Sequence, residues 1–132
     1  MANVKLNFLH VCENAFTSSD GKLNIIGIFN QINATNLPAL HPRLMIVTSL
    51  AGEVKGYMES IEIISPKGQV IAKAGNPIEI FKEDGSANFI ADFVGIVFPD
   101  EGKYKITVKV DENIINADNN DSFILIKRNG KR

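Results

Sequence analysis

The sequence contains no tryptophan and a single cysteine, Cys12. One cysteine excludes an internal disulfide framework and a zinc site built from several thiolates. Without tryptophan, the chain also lacks the Cys–Trp–Cys core of antibody-type immunoglobulin domains. A chain of 132 residues is long enough to fold on its apolar core alone, without a disulfide or a metal.

A charge excess and long hydrophobic runs are also missing. Fourteen basic residues face fifteen acidic ones, so the chain has no overall field that would attract nucleic acid or an anionic membrane. Its apolar runs are far shorter than the ~20 residues that span a bilayer. The N-terminus shows no charged start followed by a long apolar stretch, so we expect no secretory signal. These features predict a cytoplasmic protein that binds neither nucleic acid nor a membrane.

The apolar residues that are present recur with a period of two, which is typical of strands with one buried and one solvated face. Residues 102–111 show this best. Their predicted buried face is Tyr104, Ile106, Val108 and Val110, and their predicted exposed face is Lys103, Lys105, Thr107 and Lys109. The same pattern places Val4, Leu6, Phe8, His10 and Cys12 on one face of a first strand.

Turn-forming residues separate the alternating segments at 18–21, 65–68, 83–86 and 99–102. No segment carries helical apolar spacing free of a breaker, and residues 33–42, with two prolines, are expected to cross between sheets. We predict one all-β domain over residues 1–128, an antiparallel immunoglobulin-like sandwich of about eight strands. A basic C-terminal tail at 129–132 follows it.

Candidate chemistry is sparse. His10 and Cys12 could supply a base and a nucleophile, or two metal ligands, but no third partner is visible, so we expect ordinary core residues. We also expect Cys12 to be a slow-reacting thiol among Leu6 and Phe8. Glu13 and Lys22 could meet across a hairpin, and an exposed ion pair is the simpler interpretation.

The oxygen-rich loop at 118–122 offers Asp118 and Asp121 as calcium ligands, with Asp111 and Glu112 nearby in sequence. It lacks the spacing of an EF-hand, so a plain turn is expected. The basic tail has no interleaved aromatic residues on which bases could stack. The sequence also lacks a phosphate-binding glycine loop and a G-x-S-x-G motif. We therefore predict no catalytic, cofactor or metal site, and no enzyme.

Two segments, 23–32 and 89–98, are apolar on both faces. In the second, Phe89, Ala91 and Phe93 share one face, and Ile90, Val94, Ile96 and Phe98 share the other. One sandwich core absorbs only one face, so the second requires another copy or a cover formed by residues 33–42. We predict a homodimer or larger homo-oligomer. In the first segment, the change of phase at Gly27 indicates either a bulge or burial on both faces.

Residues 99–108, with Gly102-Lys103-Tyr104, are similar to the penultimate-strand region of immunoglobulin-like sandwiches. Residues 9–50 resemble the start of a widespread family of small uncharacterised bacterial proteins. The motifs that carry this resemblance are Cys12-Glu13, Gly21-Lys22-Leu23, Ile26-Gly27, Pro38 and Pro42-Arg43-Leu44. The resemblance implies a single sandwich of bacterial or phage origin and carries over no catalytic residue.

A folded sandwich without converging polar groups is more often a binding scaffold than a catalyst. We therefore predict a non-enzymatic protein-interaction or assembly module. The alternative is a barrel-like binder of a small apolar ligand, which eight phenylalanines permit and the crossing at 33–42 disfavours.

Overall fold

A computed structural model of the chain describes residues 4–117 and 122–129. The first five strands are β1 (Val4–Thr17), β2 (Leu23–Ile28), β3 (Gln31–Ala34), β4 (Ala39–Gly52) and β5 (Lys55–Ile64). They are followed by β6 (Val70–Ile80), β7 (Ser86–Phe98), β8 (Gly102–Val110), β9 (Asn113–Ile114) and β10 (Phe123–Arg128). Within these residues there is no helix with the length and apolarity to cross a membrane. The strands outnumber the predicted eight because β3 and β9 are too short to show an alternation.

The strands form two sheets, which confirms the predicted all-β sandwich. Sheet A has the order β2-β1-β4-β7, and sheet B has the order β3-β10-β8-β5-β6 with β9 beside β8. The inner faces of both sheets bury one shared core. Its largest fully buried apolar side chains are Tyr104, Phe98, Leu44, Ile46, Leu50, Ile61, Ile63, Ile80, Ile106, Ile124 and Ile126.

Sheet B is mixed, so the prediction of a wholly antiparallel sandwich is wrong. Strand β3 runs parallel to β10, with Gln31 opposite Leu125 and Ala34 opposite Arg128. Tight turns impose antiparallel pairing only on strands that they join, and no turn joins these two. The chain crosses from β3 in sheet B to β4 in sheet A, as predicted, but only residues 35–38 form the connection, because 33–34 and 39–42 belong to the two strands.

Strand β8 follows the predicted alternation closely. Its four apolar residues are fully buried, and Lys103 and Lys105 are exposed. Thr107 was expected to be exposed and is buried, so that part of the prediction is wrong. Lys109 was expected to be exposed but is half-buried, because its Nζ lies 3.3 Å from Oε2 of Glu62 on β5. The Tyr104 hydroxyl donates to the Asp100 carbonyl at 2.8 Å and accepts from the Asp100 amide at 3.0 Å. Such a bond from a tyrosine near a strand start to the preceding corner is a hallmark of immunoglobulin-like sandwiches.

Strand β1 departs from its predicted single apolar face. Its register against β4 shifts between Leu6 and Phe8. A bulge of this kind turns all later side chains to the opposite face. Leu6 therefore packs against the core between the sheets, whereas Phe8 and Cys12 belong to a second cluster on the outer face of sheet A. We call it the outer cluster: Cys12, Ala15, Met45 and Val47, with Phe8, Leu23, Ile25 and Ile90 packed against it.

Strand β7 also changes phase, at Gly95, whose φ is +69°. Beyond this glycine, Ile96 and Phe98 turn inward and join the core between the sheets, so placing them on a second apolar face was wrong. Ile90 packs against the outer cluster, and Val94 is 73% exposed. The β1–β2 hairpin, rather than residues 33–42, supplies the side chains that pack on this outer face.

Candidate functional site

The corner where the chain passes from β2 to β3 gathers several residues singled out by sequence. Two surface depressions adjoin at Ile28 and Phe29. The first, of about 350 Å³, is lined by Glu13, Gly27, Ile28, Phe29, Gln31, Ile32 and His41. The second, of about 280 Å³, is lined by Leu9, His10, Val11, Ile28, Phe29, Asn30 and Phe123. The corner thus presents one carboxylate, two imidazoles and two side-chain amides around apolar walls.

Gly27 is the local feature that shapes this corner. Its φ of +72° lies in the left-handed region, which glycine adopts readily. The register of β2 against β1 does not shift there, since Asn14 lies opposite Ile26 and Cys12 opposite Ile28, so the predicted bulge is not found. Ile26 and Ile28 are exposed, so the alternative of burial on both faces is wrong as well. A Cβ at Gly27 would lie 2.6 Å from Oε1 of Glu13. The glycine therefore makes room for the Glu13 carboxylate.

The predicted pair of Glu13 and Lys22 does not form. Hairpin pairing places Asn14 opposite Ile26, so Glu13 falls near Gly27, far along the hairpin from Lys22. The Lys22 ammonium instead lies 3.5 Å from Asp20 within the turn. Both partners of this pair are well exposed, so its contribution to stability is small.

His10 and Cys12 do not form a reactive pair. The His10 ring stacks on Phe8 with ring centroids 5.2 Å apart. Cys12 is fully buried, and burial raises the pKa of its thiol. The thiol packs in the outer cluster near Phe8, as expected, but Leu6 lies on the opposite face of the sheet.

Within residues 4–117 and 122–129, no three His, Cys, Asp or Glu side chains lie close enough together to bind a metal ion. His41 lines a different depression from His10, with its ring centroid 6.0 Å from that of Phe29. Asp111 accepts a bond from the Met58 amide at 2.9 Å. The calcium candidates Asp118 and Asp121, and tail residues 130–132, lie outside the described residues.

One acidic residue in the core was missed by the sequence analysis. Glu59 on β5 is fully buried, and its Oε2 accepts a hydrogen bond of 2.5 Å from the hydroxyl of Thr48 on β4. Its Oε1 has no hydrogen-bond partner among the described residues. Burial raises the pKa of this carboxyl to about 7, although the Thr48 bond lowers it. The sequence did contain a sign of this burial, because Glu59 alternates with Tyr57 and Ile61 and therefore lies on the same face of β5.

Sheet A also presents apolar side chains to solvent. Leu40 on β4 lies directly opposite Val97 on β7, and both are exposed next to exposed Val94. Arg43 forms two hydrogen bonds with Asp92 nearby, at 2.9 and 2.8 Å. This pairing lowers the pKa of the Asp92 carboxyl. At the opposite edge of sheet A, Ile26 and Ile28 on β2 are exposed as well.

Comparison with solved structures finds distant similarity. An immunoglobulin-like protein from Pseudomonas aeruginosa is 12% identical, with 96% of this chain and 98% of that chain covered and a TM-score of 0.42. An alkylpurine DNA glycosylase from Pseudomonas fluorescens, solved with DNA containing an abasic site analogue, is 13% identical. In that case 96% of this chain and 31% of the glycosylase are covered, with a TM-score of 0.41.

No curated protein matches the chain. The sequence profile of a protein family does match, over residues 7–117. The predicted resemblance to an uncharacterised family is therefore confirmed, and the chain belongs to DUF6941, a family of unknown function.

Proposed function

We propose that this chain is a non-enzymatic protein-interaction or assembly module that forms a homo-oligomer. The supporting observation is the apolar surface of sheet A. Six large apolar side chains on its strands are exposed: Phe16, Ile26, Ile28, Leu40, Val94 and Val97. Apolar surface exposed on a small sandwich is a common feature of protein–protein contacts.

Self-association is preferred here over the alternative of a small apolar ligand held in a barrel-like cavity. The space between the sheets is filled by large side chains, among them Tyr104 and Phe98, whose rings pack edge to face at 5.0 Å. A ligand would have to displace this packing, whereas a second copy would cover surface that is already exposed. A bacterial or phage origin and a cytoplasmic location remain predictions from the sequence.

Light scattering after size exclusion tests the proposal. We expect a mass above 14.5 kDa at micromolar concentration. A matched pair of variants separates sheet A from other apolar surface. Ile26→Lys places a charge on the exposed apolar surface of sheet A and is expected to lower the mass toward that of one chain, and Phe81→Lys changes an 80% exposed residue between β6 and β7. A wild-type mass of one chain at every concentration would contradict the proposal, and Phe81→Lys is expected to leave the mass unchanged.

A further inference from the structure

Strand β2 is an edge strand of sheet A that lacks the features by which proteins usually prevent pairing with another strand. It ends the order of sheet A, and within the described residues it pairs only with β1. Its sequence, Leu-Asn-Ile-Ile-Gly-Ile, contains no charged residue and no proline. Soluble proteins ordinarily protect an edge with charges, proline, shortness or a covering element, because unpaired N–H and C=O groups attract another strand.

The other edges of the two sheets carry such protection. Strand β6 contains Lys73, Pro77 and Glu79 and lies beside β7, so these two edges cover each other. Strand β3 has only four residues. Of the described edges, β2 alone has six residues without a charge or a proline and no covering element.

The hydrogen bonds of the β1–β2 hairpin show which groups of β2 point away from β1. The Ser18 amide donates to the Lys22 carbonyl at 2.8 Å and closes the hairpin. In an antiparallel ladder, every second pair exchanges hydrogen bonds, so the next bonded pairs are Phe16 with Asn24 and Asn14 with Ile26. The backbone groups of Leu23 and Ile25 therefore point toward the free edge.

From this hydrogen-bond phase we infer that β2 pairs antiparallel with β2 of a second copy, about a two-fold axis at Asn24. Leu23 of each copy then lies opposite Ile25 of the other and exchanges backbone hydrogen bonds with it. The two four-stranded sheets A become one continuous sheet. This inference rests on the proposed self-association and names its interface.

The composition of the strand favours a second copy over a foreign strand. The two-fold axis places the uncharged Asn24 opposite itself, so no like charges meet at the centre. Phe16 and Ile26, exposed by 43% and 51%, lie beside Asn24 and extend the contact with apolar surface. A neutral strand carries no charge pattern by which to select a charged peptide.

Paired charge variants test the two-fold axis. Asn24→Lys and Asn24→Glu each place like charges opposite one another, and each is expected to weaken the dimer several-fold. An equimolar mixture of the two is expected to restore it, because opposite charges then meet. Circular dichroism establishes that both variants are folded. Folded variants whose mixture stays monomeric would overturn the inference.

A cysteine at the axis gives a second test that does not depend on charge. Asn24 would form a non-hydrogen-bonded pair with itself, in which Cα atoms are ~4.5 Å apart, close enough for a disulfide. Asn24→Cys is expected to form a disulfide-linked dimer under mild oxidation, and Asn76→Cys, exposed on β6, is the control. Equal cross-linking of both variants would overturn the β2 interface. A monomeric wild type would instead overturn the proposed self-association itself.

Discussion

At the scale of single residues, the Glu59 carboxyl couples stability to pH. Its pKa is about 7 in the fold, against ~4.3 for an unperturbed glutamate. Between these values the folded protein keeps a proton that the unfolded chain releases. The contribution of Glu59 to stability is therefore full below the lower value, falls as pH rises toward 7, and is flat above.

Glutamine does not titrate, so we expect Glu59→Gln to abolish the loss of stability that the wild type shows as the pH rises. At about pH 8 the free energy of unfolding of the variant should exceed that of the wild type by on the order of 3 kcal/mol. Urea unfolding at about pH 5 and about pH 8 measures it. Glu79→Gln, at an exposed position on β6, is the matched control and should keep the wild-type pH dependence. A wild-type and a Glu59→Gln protein with the same pH dependence would show that Glu59 does not titrate in this range.

Cys12 provides a second prediction at this scale. Because the thiol is fully buried and its pKa is raised, we expect it to react slowly with a thiol reagent in the native protein and rapidly in denaturant. Asn76→Cys adds an exposed thiol on β6, and this variant should label one thiol fast and one slowly. Fast native labelling of the wild type would return Cys12 to the candidates for chemistry.

At the scale of strands, β8 gives the clearest test of the period-two interpretation. Val108→Asp forces a charge into a fully buried position, so we expect the variant not to fold. Lys105→Asp, on the exposed face of the same strand, should fold normally. Circular dichroism melts of both proteins measure the difference. An unchanged melt for Val108→Asp would show that the buried face has been misassigned.

Alternation predicted the buried apolar face of β8, but it failed where a strand contains an irregularity. Around Leu6 and Phe8 both phases place apolar residues inward, so the sequence offers no sign of the bulge between them. At Gly95 the glycine was a visible signal, yet only the packing of Ile96 in the core shows that the residues after it turn inward. The burial of Glu59 was not predicted, because a charged residue is ordinarily expected to be exposed, even at a position on an apolar face of a strand.

At the scale of the whole molecule, the sequence predicts two packed sheets but not the order of their strands. The parallel pairing of β3 with β10 joins residues far apart in the chain, and no local turn specifies it. The corner that brings Glu13, Gly27 and His41 together depends on the same long-range arrangement. The free β2 edge likewise becomes apparent only once the order of sheet A is known.

Self-association of this sandwich can be measured by sedimentation equilibrium at several protein concentrations. We expect a monomer–dimer equilibrium in which the mass rises toward twice 14.5 kDa as the concentration increases. A single species of 14.5 kDa at all concentrations, up to the highest attainable, would contradict it.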